Sequence, residues 1–131
     1  MNARTLIVDD DKDIVTMLED RLAATGSSTV VARDGMQAVE QVEQEVPNLV
    51  LLDPDRPQLT GLEVLTRLAK LKQAEDVPVI VVTAHGSIQT ALEAMKDGAC
   101  DVLTKPLDKD HLLIVTRKAL ERDSPGAGSP V

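Results

Sequence analysis

Short apolar runs alternate with longer stretches of helical period along this chain. Runs rich in Val, Leu and Ile occupy Thr5 to Val8, Thr29 to Ala32, Leu49 to Leu52, Val77 to Val82 and Val102 to Thr104, and continuous runs of this length read as strands buried on both faces. Between and after them, apolar or small positions recur at spacings of three and four. The sets are Ile14, Met17, Leu18 and Leu22; Ala38, Val39 and Val42; Leu62, Leu65 and Leu68; Ile88, Ala91, Leu92 and Met95; and Leu112, Leu113, Thr116, Ala119 and Leu120. Each predicts a helix with one apolar stripe. Gly26, Gly61, Gly86 and Gly98 punctuate the boundaries, and Ser87 and Asp108 stand where an N-cap oxygen would meet a helix's first N–H groups. The pattern is α/β, five βα units in succession. Right-handed crossovers and too few units for a barrel favour a doubly wound five-stranded parallel sheet, with strand order 2-1-3-4-5. No internal repeat is present.

Composition narrows the picture. The 131 residues contain no Phe, Tyr or Trp, so the core is built from 17 Leu and 16 Val, with Ala, five Ile and four Met filling gaps. That excludes stacking platforms for single-stranded nucleic acid and aromatic cages for quaternary ammonium ligands. Fourteen Lys and Arg against 22 Asp and Glu give a formal net charge of -8, which repels phosphate backbones and anionic headgroups; neither direct nucleic-acid binding nor a membrane partner is expected. Cys100 has no second cysteine to pair with, as suits a reducing compartment. With no signal-like start and no apolar run near the roughly 18 residues that span a bilayer, a cytoplasmic location is expected. Residues 1–123 form the expected domain; the Ser-Pro-Gly-Ala-Gly-Ser-Pro composition of 124–131 reads as a flexible tail or the start of a linker.

In open α/β sheets ligands bind outside the carboxyl ends of the strands. The first strand ends in Asp9, Asp10 and Asp11, the third in Asp53 with Asp55 two residues on, the fourth in Thr83, and the fifth in Thr104, Lys105 and Pro106. Order 2-1-3-4-5 places the first and third strands side by side, so the carboxylates share one rim. Two of them about 5 Å apart repel by about 3 kcal/mol at an effective dielectric of about 20, so the group calls for a cation or raised pKa values. Oxygen ligands without His or Cys, completed by water, suit Mg²⁺. Such an ion with a lysine and a threonine hydroxyl would cradle a phosphoryl group, with Asp53 as the nucleophile. Taken singly, each piece has a plainer reading: an acidic loop or helix cap for Asp9 to Asp11, a strand-ending turn at Asp53, a strand exit at Lys105-Pro106. The functional signal is their convergence.

Over residues 4 to 122 the sequence resembles the receiver domains of two-component response regulators. The matching stretches are Leu6-Ile-Val-Asp-Asp-Asp11, Pro47-Asn-Leu-Val-Leu-Leu-Asp53, Pro57 with Gly61-Leu-Glu-Val-Leu65, Val79-Ile-Val-Val-Thr-Ala84 and Lys105-Pro106. Thr83-Ala-His-Gly-Ser87 and Ala94-Met-Lys-Asp-Gly-Ala99 are most similar to the nitrogen-regulatory class. The resemblance implies a CheY-like, flavodoxin-type (βα)5 fold. It also implies Asp53 as phosphoacceptor, Asp10 as direct Mg²⁺ ligand, Asp9 acting through water and Asp55 contributing its backbone carbonyl. Thr83 and Lys105 would contact the phosphoryl group, and the Lys105-Pro106 bond would be cis. Implied partners are a sensor histidine kinase or phosphotransfer protein, a receiver homodimer and a C-terminal effector domain. The fourth helix, last strand and last helix would form the contact face.

Three departures stand out. Val102 replaces the Phe or Tyr usual three residues before the lysine, and Cys100 and Leu107 also stand where rings are common. Pro54 follows the phosphoacceptor and removes a backbone donor. Asp55 adds a carboxylate to the rim, and His85 lies two residues after Thr83. Two competing readings follow: a phosphatase of the haloacid-dehalogenase type using Asp53-Pro-Asp55, and a pseudo-receiver that binds partners without phosphorylation. Nucleotide binding finds neither a G-x-G-x-x-G nor a P-loop.

Overall fold

The computed structural model describes residues 3–53, 67–68, 70–71, 76–84, 88–96 and 98–122. In chain order the elements are β1 (Arg4–Val8), α1 (Lys12–Ala23), β2 (Ser28–Ala32), α2 (Gly35–Gln44), β3 (Leu49–Leu52), β4 (Val79–Thr83), α3 (Ile88–Lys96), β5 (Asp101–Thr104) and α4 (Lys109–Arg122). The five strands form one sheet in the order β2-β1-β3-β4-β5, and every pairing is parallel. The doubly wound arrangement expected from the alternation is the one observed. Of the third helical stretch, Leu68 is buried, while Leu62 and Leu65 lie outside the described residues, as do Gly61, Gly86, Ser87 and the 124–131 segment.

Alternating strand residues feed two cores. Leu6, Val8, Val50, Leu52, Val79 and Val81 pack with Ala38 and Val42 of α2 and Ala94 of α3. On the opposite face Ile7, Leu49, Leu51, Ile80, Val82 and Leu103 pack with Leu18 and Leu22 of α1 and with Leu112, Val115 and Ala119 of α4. Both faces of the sheet are thus covered, which is why its strands need not alternate with polar residues. Leu, Ile and Val dominate these layers, with alanines filling the closer approaches, each fully buried Leu, Ile or Val contributing roughly 1.5–3 kcal/mol.

The strands β1, β2 and β5 each begin one residue before the apolar runs, at Arg4, Ser28 and Asp101, and β4 differs from its run at both ends. β4 begins at Val79 because Pro78, with no N–H, can accept in the ladder from Val50 but cannot donate. It extends through Thr83, whose carbonyl accepts the Lys105 N–H at 2.9 Å. At the end of α3, Gly98 adopts φ +113°. The next N–H, from Ala99, turns back to the Ala94 carbonyl at 2.9 Å, a closure that favours glycine at the left-handed position.

The apolar stripe of α3 is also displaced from expectation. Leu92 and Met95 are 65% and 48% exposed, while Ala94 is 1% exposed and Ala91 half-buried. The helix lies against the sheet through its small residues, which leaves no room for a longer side chain there. Ala94→Leu is therefore expected to destabilise the domain by about 1–3 kcal/mol through overpacking, and Leu92→Ala to stay within about 0.5 kcal/mol. Denaturant midpoints of the two variants decide which face is buried.

Candidate functional site

The site forms where β1, β3, β4 and β5 end. Val8 pairs with Leu52, and the ladder continues one step as the Asp53 N–H donates to the Val8 carbonyl at 3.0 Å, while the Asp9 N–H donates to Ala32 at 3.0 Å. Asp9 and Asp53 are thus anchored side by side by backbone bonds, and both are only 3% exposed. On the far side Thr83 pairs with Thr104, and Lys105 leaves the sheet one residue later.

From there the Lys105 side chain reaches over the end of β4. Its Nζ donates to Asp53 Oδ2 at 2.9 Å and to Asp9 Oδ2 at 3.2 Å. The lysine side chain is 15% exposed, so this bridge is largely shielded from water. Burial is the largest single influence on its ammonium and works against the charge. The hydrogen bond and charge of Asp53, followed by the charge and hydrogen bond of Asp9, together outweigh it, and the Lys105 pKa is raised above its ordinary value. Lys105 is therefore a fixed cation at the centre of the rim.

The three consecutive aspartates have three different surroundings. Asp9 is buried, and its Oδ1 accepts the Asp11 N–H at 3.0 Å. Asp10 is exposed. Asp11 caps α1, its Oδ1 accepting from the N–H groups of Asp13 at 3.0 Å and Ile14 at 3.3 Å. The cap and the rim thus coexist, where the acidic loop had allowed either. Asp108 caps α4 in the same way, through the N–H of Asp110 at 2.9 Å and of His111 at 3.4 Å. Asp34 caps α2, its side chain accepting the Gln37 N–H, a role that an Asp-Gly pair does not signal because it is also a turn dipeptide.

Of the expected site residues, the structure brings Asp9, Asp53 and Lys105 into direct contact and buries Thr83 completely at the neighbouring strand end. Asp55, Pro54 and His85 lie outside the described residues. Among the described residues no three carboxylate, imidazole or thiolate groups close on one point. The donor set nevertheless fits a hard cation. Two buried carboxylates share one ammonium, all the donors are oxygens, and Asp10 stands exposed at the same strand end. The Lys105-Pro106 bond is cis. Val102 is half-buried and packs on the α2 and α3 side of the sheet, whereas Cys100 and Leu107 pack on the α1 and α4 side. Aliphatic and thiol groups thus fill the three positions where rings are usual.

A model of the response regulator receiver domain matches residues 5–117. The chain belongs to this family. The receiver is 41% identical over 119 residues to the transcriptional regulatory protein ZraR of Escherichia coli K12, covering 91% of this chain and 26% of that protein. It is 36% identical over 128 residues to the luminescence regulatory protein LuxO of Vibrio campbellii, covering 92% of this chain and 28% of that one. The chain thus spans about a quarter of the length of either. Among solved structures, NtrX from Brucella abortus superposes with a TM-score of 0.85 at 35% identity, over 94% of this chain and 28% of that chain. The chemotaxis protein CheY4 of Vibrio cholerae superposes with a TM-score of 0.85 at 25% identity, over 91% and 99%. Similarity to ZraR, LuxO and NtrX is consistent with a receiver of the nitrogen-regulatory class. No helix among the described residues is long and apolar enough to cross a membrane.

Proposed function

We propose that this receiver accepts a phosphoryl group on Asp53 from a phosphohistidine of a sensor histidine kinase or phosphotransfer protein. The observation that supports this reading best is the half-buried ammonium of Lys105 shared between the buried carboxylates of Asp53 and Asp9. It places a cation 2.9 Å from the Asp53 carboxylate, where it would offset negative charge that a phosphoryl group brings. The Thr83 hydroxyl, at the end of the adjacent strand, would donate to a phosphoryl oxygen in this reading. Mg²⁺, held by Asp9, Asp10, Asp53 and Asp55, would neutralise charge on the transferred group. Slow self-dephosphorylation by water at the same site completes the cycle.

Output in this reading passes through a protein contact in the cytoplasm, with no direct role for nucleic acid or membrane. Leu92 and Met95 on α3 and Ile114 on α4 are exposed apolar side chains, suited to a receiver homodimer or to an effector domain that follows the 124–131 segment in the whole protein. Incubation with a small acyl phosphate and Mg²⁺ tests the reading: intact protein is expected to gain the mass of one phosphoryl group. No gain under saturating donor would favour the pseudo-receiver, and rapid turnover of a phosphomonoester would favour the phosphatase.

A further inference from the structure

Asp53 is followed directly by Pro54. Given the phosphorylation proposed above, this pair decides which routes remain open to the phosphoryl group. An aspartyl phosphate is a mixed anhydride, and its Cγ is an activated acyl carbon. In any Asp-X sequence the amide nitrogen of X can close a five-membered ring on that carbon. When X carries an N–H, the N–Cγ bond forms, the Cγ–O bond to phosphorus's oxygen breaks, and orthophosphate leaves. The amide proton goes to solvent. The product is a succinimide, one water lighter than the unmodified chain, and water reopens it partly to isoaspartate. The phosphoacceptor would then be lost as well as the phosphate.

Proline nitrogen has no hydrogen to release. Attack by Pro54 would leave a cationic acyl-ammonium with no neutral imide to relax into. The burial of Asp53 sharpens the point. At 3% exposure, with its own N–H fixed to Val8, the Asp53 carboxyl carbon is shielded from water, so an internal nucleophile would meet little competition there. We propose that Pro54 closes the cyclisation route, so that phospho-Asp53 is discharged only in ways that regenerate the aspartate. One is attack of water on phosphorus, which breaks the P–O bond to the carboxyl oxygen and yields orthophosphate; the other is transfer of the phosphoryl group to another acceptor.

The test compares wild type with Pro54→Ala. Both are labelled with acetyl phosphate and Mg²⁺, moved into urea at neutral pH, and followed by intact mass and by fragmentation of the peptide holding residue 53. Wild type is expected to return to its unmodified mass with aspartate at position 53. P54A is expected to yield a species one water lighter at residue 53, and then isoaspartate. In a second arm, unlabelled chains in urea are activated with a water-soluble carbodiimide, which needs neither folding nor phosphoryl transfer. Asp34-Gly35 and Asp97-Gly98 serve there as sites that cyclise. Dehydration at residue 53 in P54A but not in wild type supports the proposal. Equal dehydration at residue 53 in both chains, or none in P54A while the Asp-Gly sites react, overturns it. A wild type that takes no phosphoryl group contradicts the function proposed above, and the carbodiimide arm then decides the role of Pro54 alone.

Discussion

Lys105→Met is expected to lower the stability of the domain by about 1–3 kcal/mol at neutral pH, the range for hydrogen bonds to charged groups, because the ammonium is half-buried while both carboxylates are buried. Methionine keeps much of the apolar stem but takes from Asp9 and Asp53, each 3% exposed, the ammonium that they share. Added Mg²⁺ is expected to restore part of the loss by binding the folded state, and to stabilise this variant more than wild type. The alkaline limb supplies a second readout. The folded-state pKa of Lys105 is raised, so its contribution is fully present below the ordinary lysine value of 10.5 and is lost as pH rises through the higher folded value. The stability gap between wild type and K105M therefore narrows above that pH. Urea midpoints across the range measure both effects. A neutral-pH gap under about 1 kcal/mol would show that the bridge behaves as a screened surface pair.

Asp53→Asn is expected to separate stability from function. The substitution removes one of two carboxylates around Lys105, leaving the 3.2 Å pair with Asp9 and an amide oxygen still able to accept from the ammonium. Mutual repulsion of the carboxylates is lost along with a charge-assisted bond, so the net change in stability is expected to stay within about 1 kcal/mol. Phosphoryl acceptance, by contrast, is expected to vanish, because an amide oxygen is not a competent nucleophile toward phosphorus. The same proline that governs phospho-Asp53 keeps this control clean: with no N–H at residue 54, D53N has no backbone route back to aspartate by deamidation. Folding like wild type with retained labelling would place the acceptor elsewhere.

Much of the fold is legible in the sequence because its strands are buried on both sides. Leu49 to Leu52 can be a continuous apolar run only if helices cover each face, which leads to a parallel sheet; right-handed crossovers and the number of units favour the doubly wound one. The site is legible for the same reason: once β1 and β3 are neighbours, Asp9 and Asp53 share an edge, and a lysine after β5 is long enough to reach them. Other features lie below the reach of pattern. Asp9, Asp10 and Asp11 are chemically identical, and only the turn from β1 into α1 makes one buried, one exposed and one a cap. In α3, hydrophobicity selected Leu92 and Met95, but the spacing between helix and sheet selected Ala94. Periodicity reports which residues are apolar; it does not report how closely two elements approach.

The most direct measurement is the mass of the intact chain after exposure to acetyl phosphate, with Mg²⁺ or with a chelator, followed by mapping of the modified peptide. A gain of one phosphoryl group that requires Mg²⁺ and maps to Asp53 is the expected result. An unchanged mass in wild type under saturating donor and Mg²⁺, or a phosphoryl group mapped to another residue, would contradict the account.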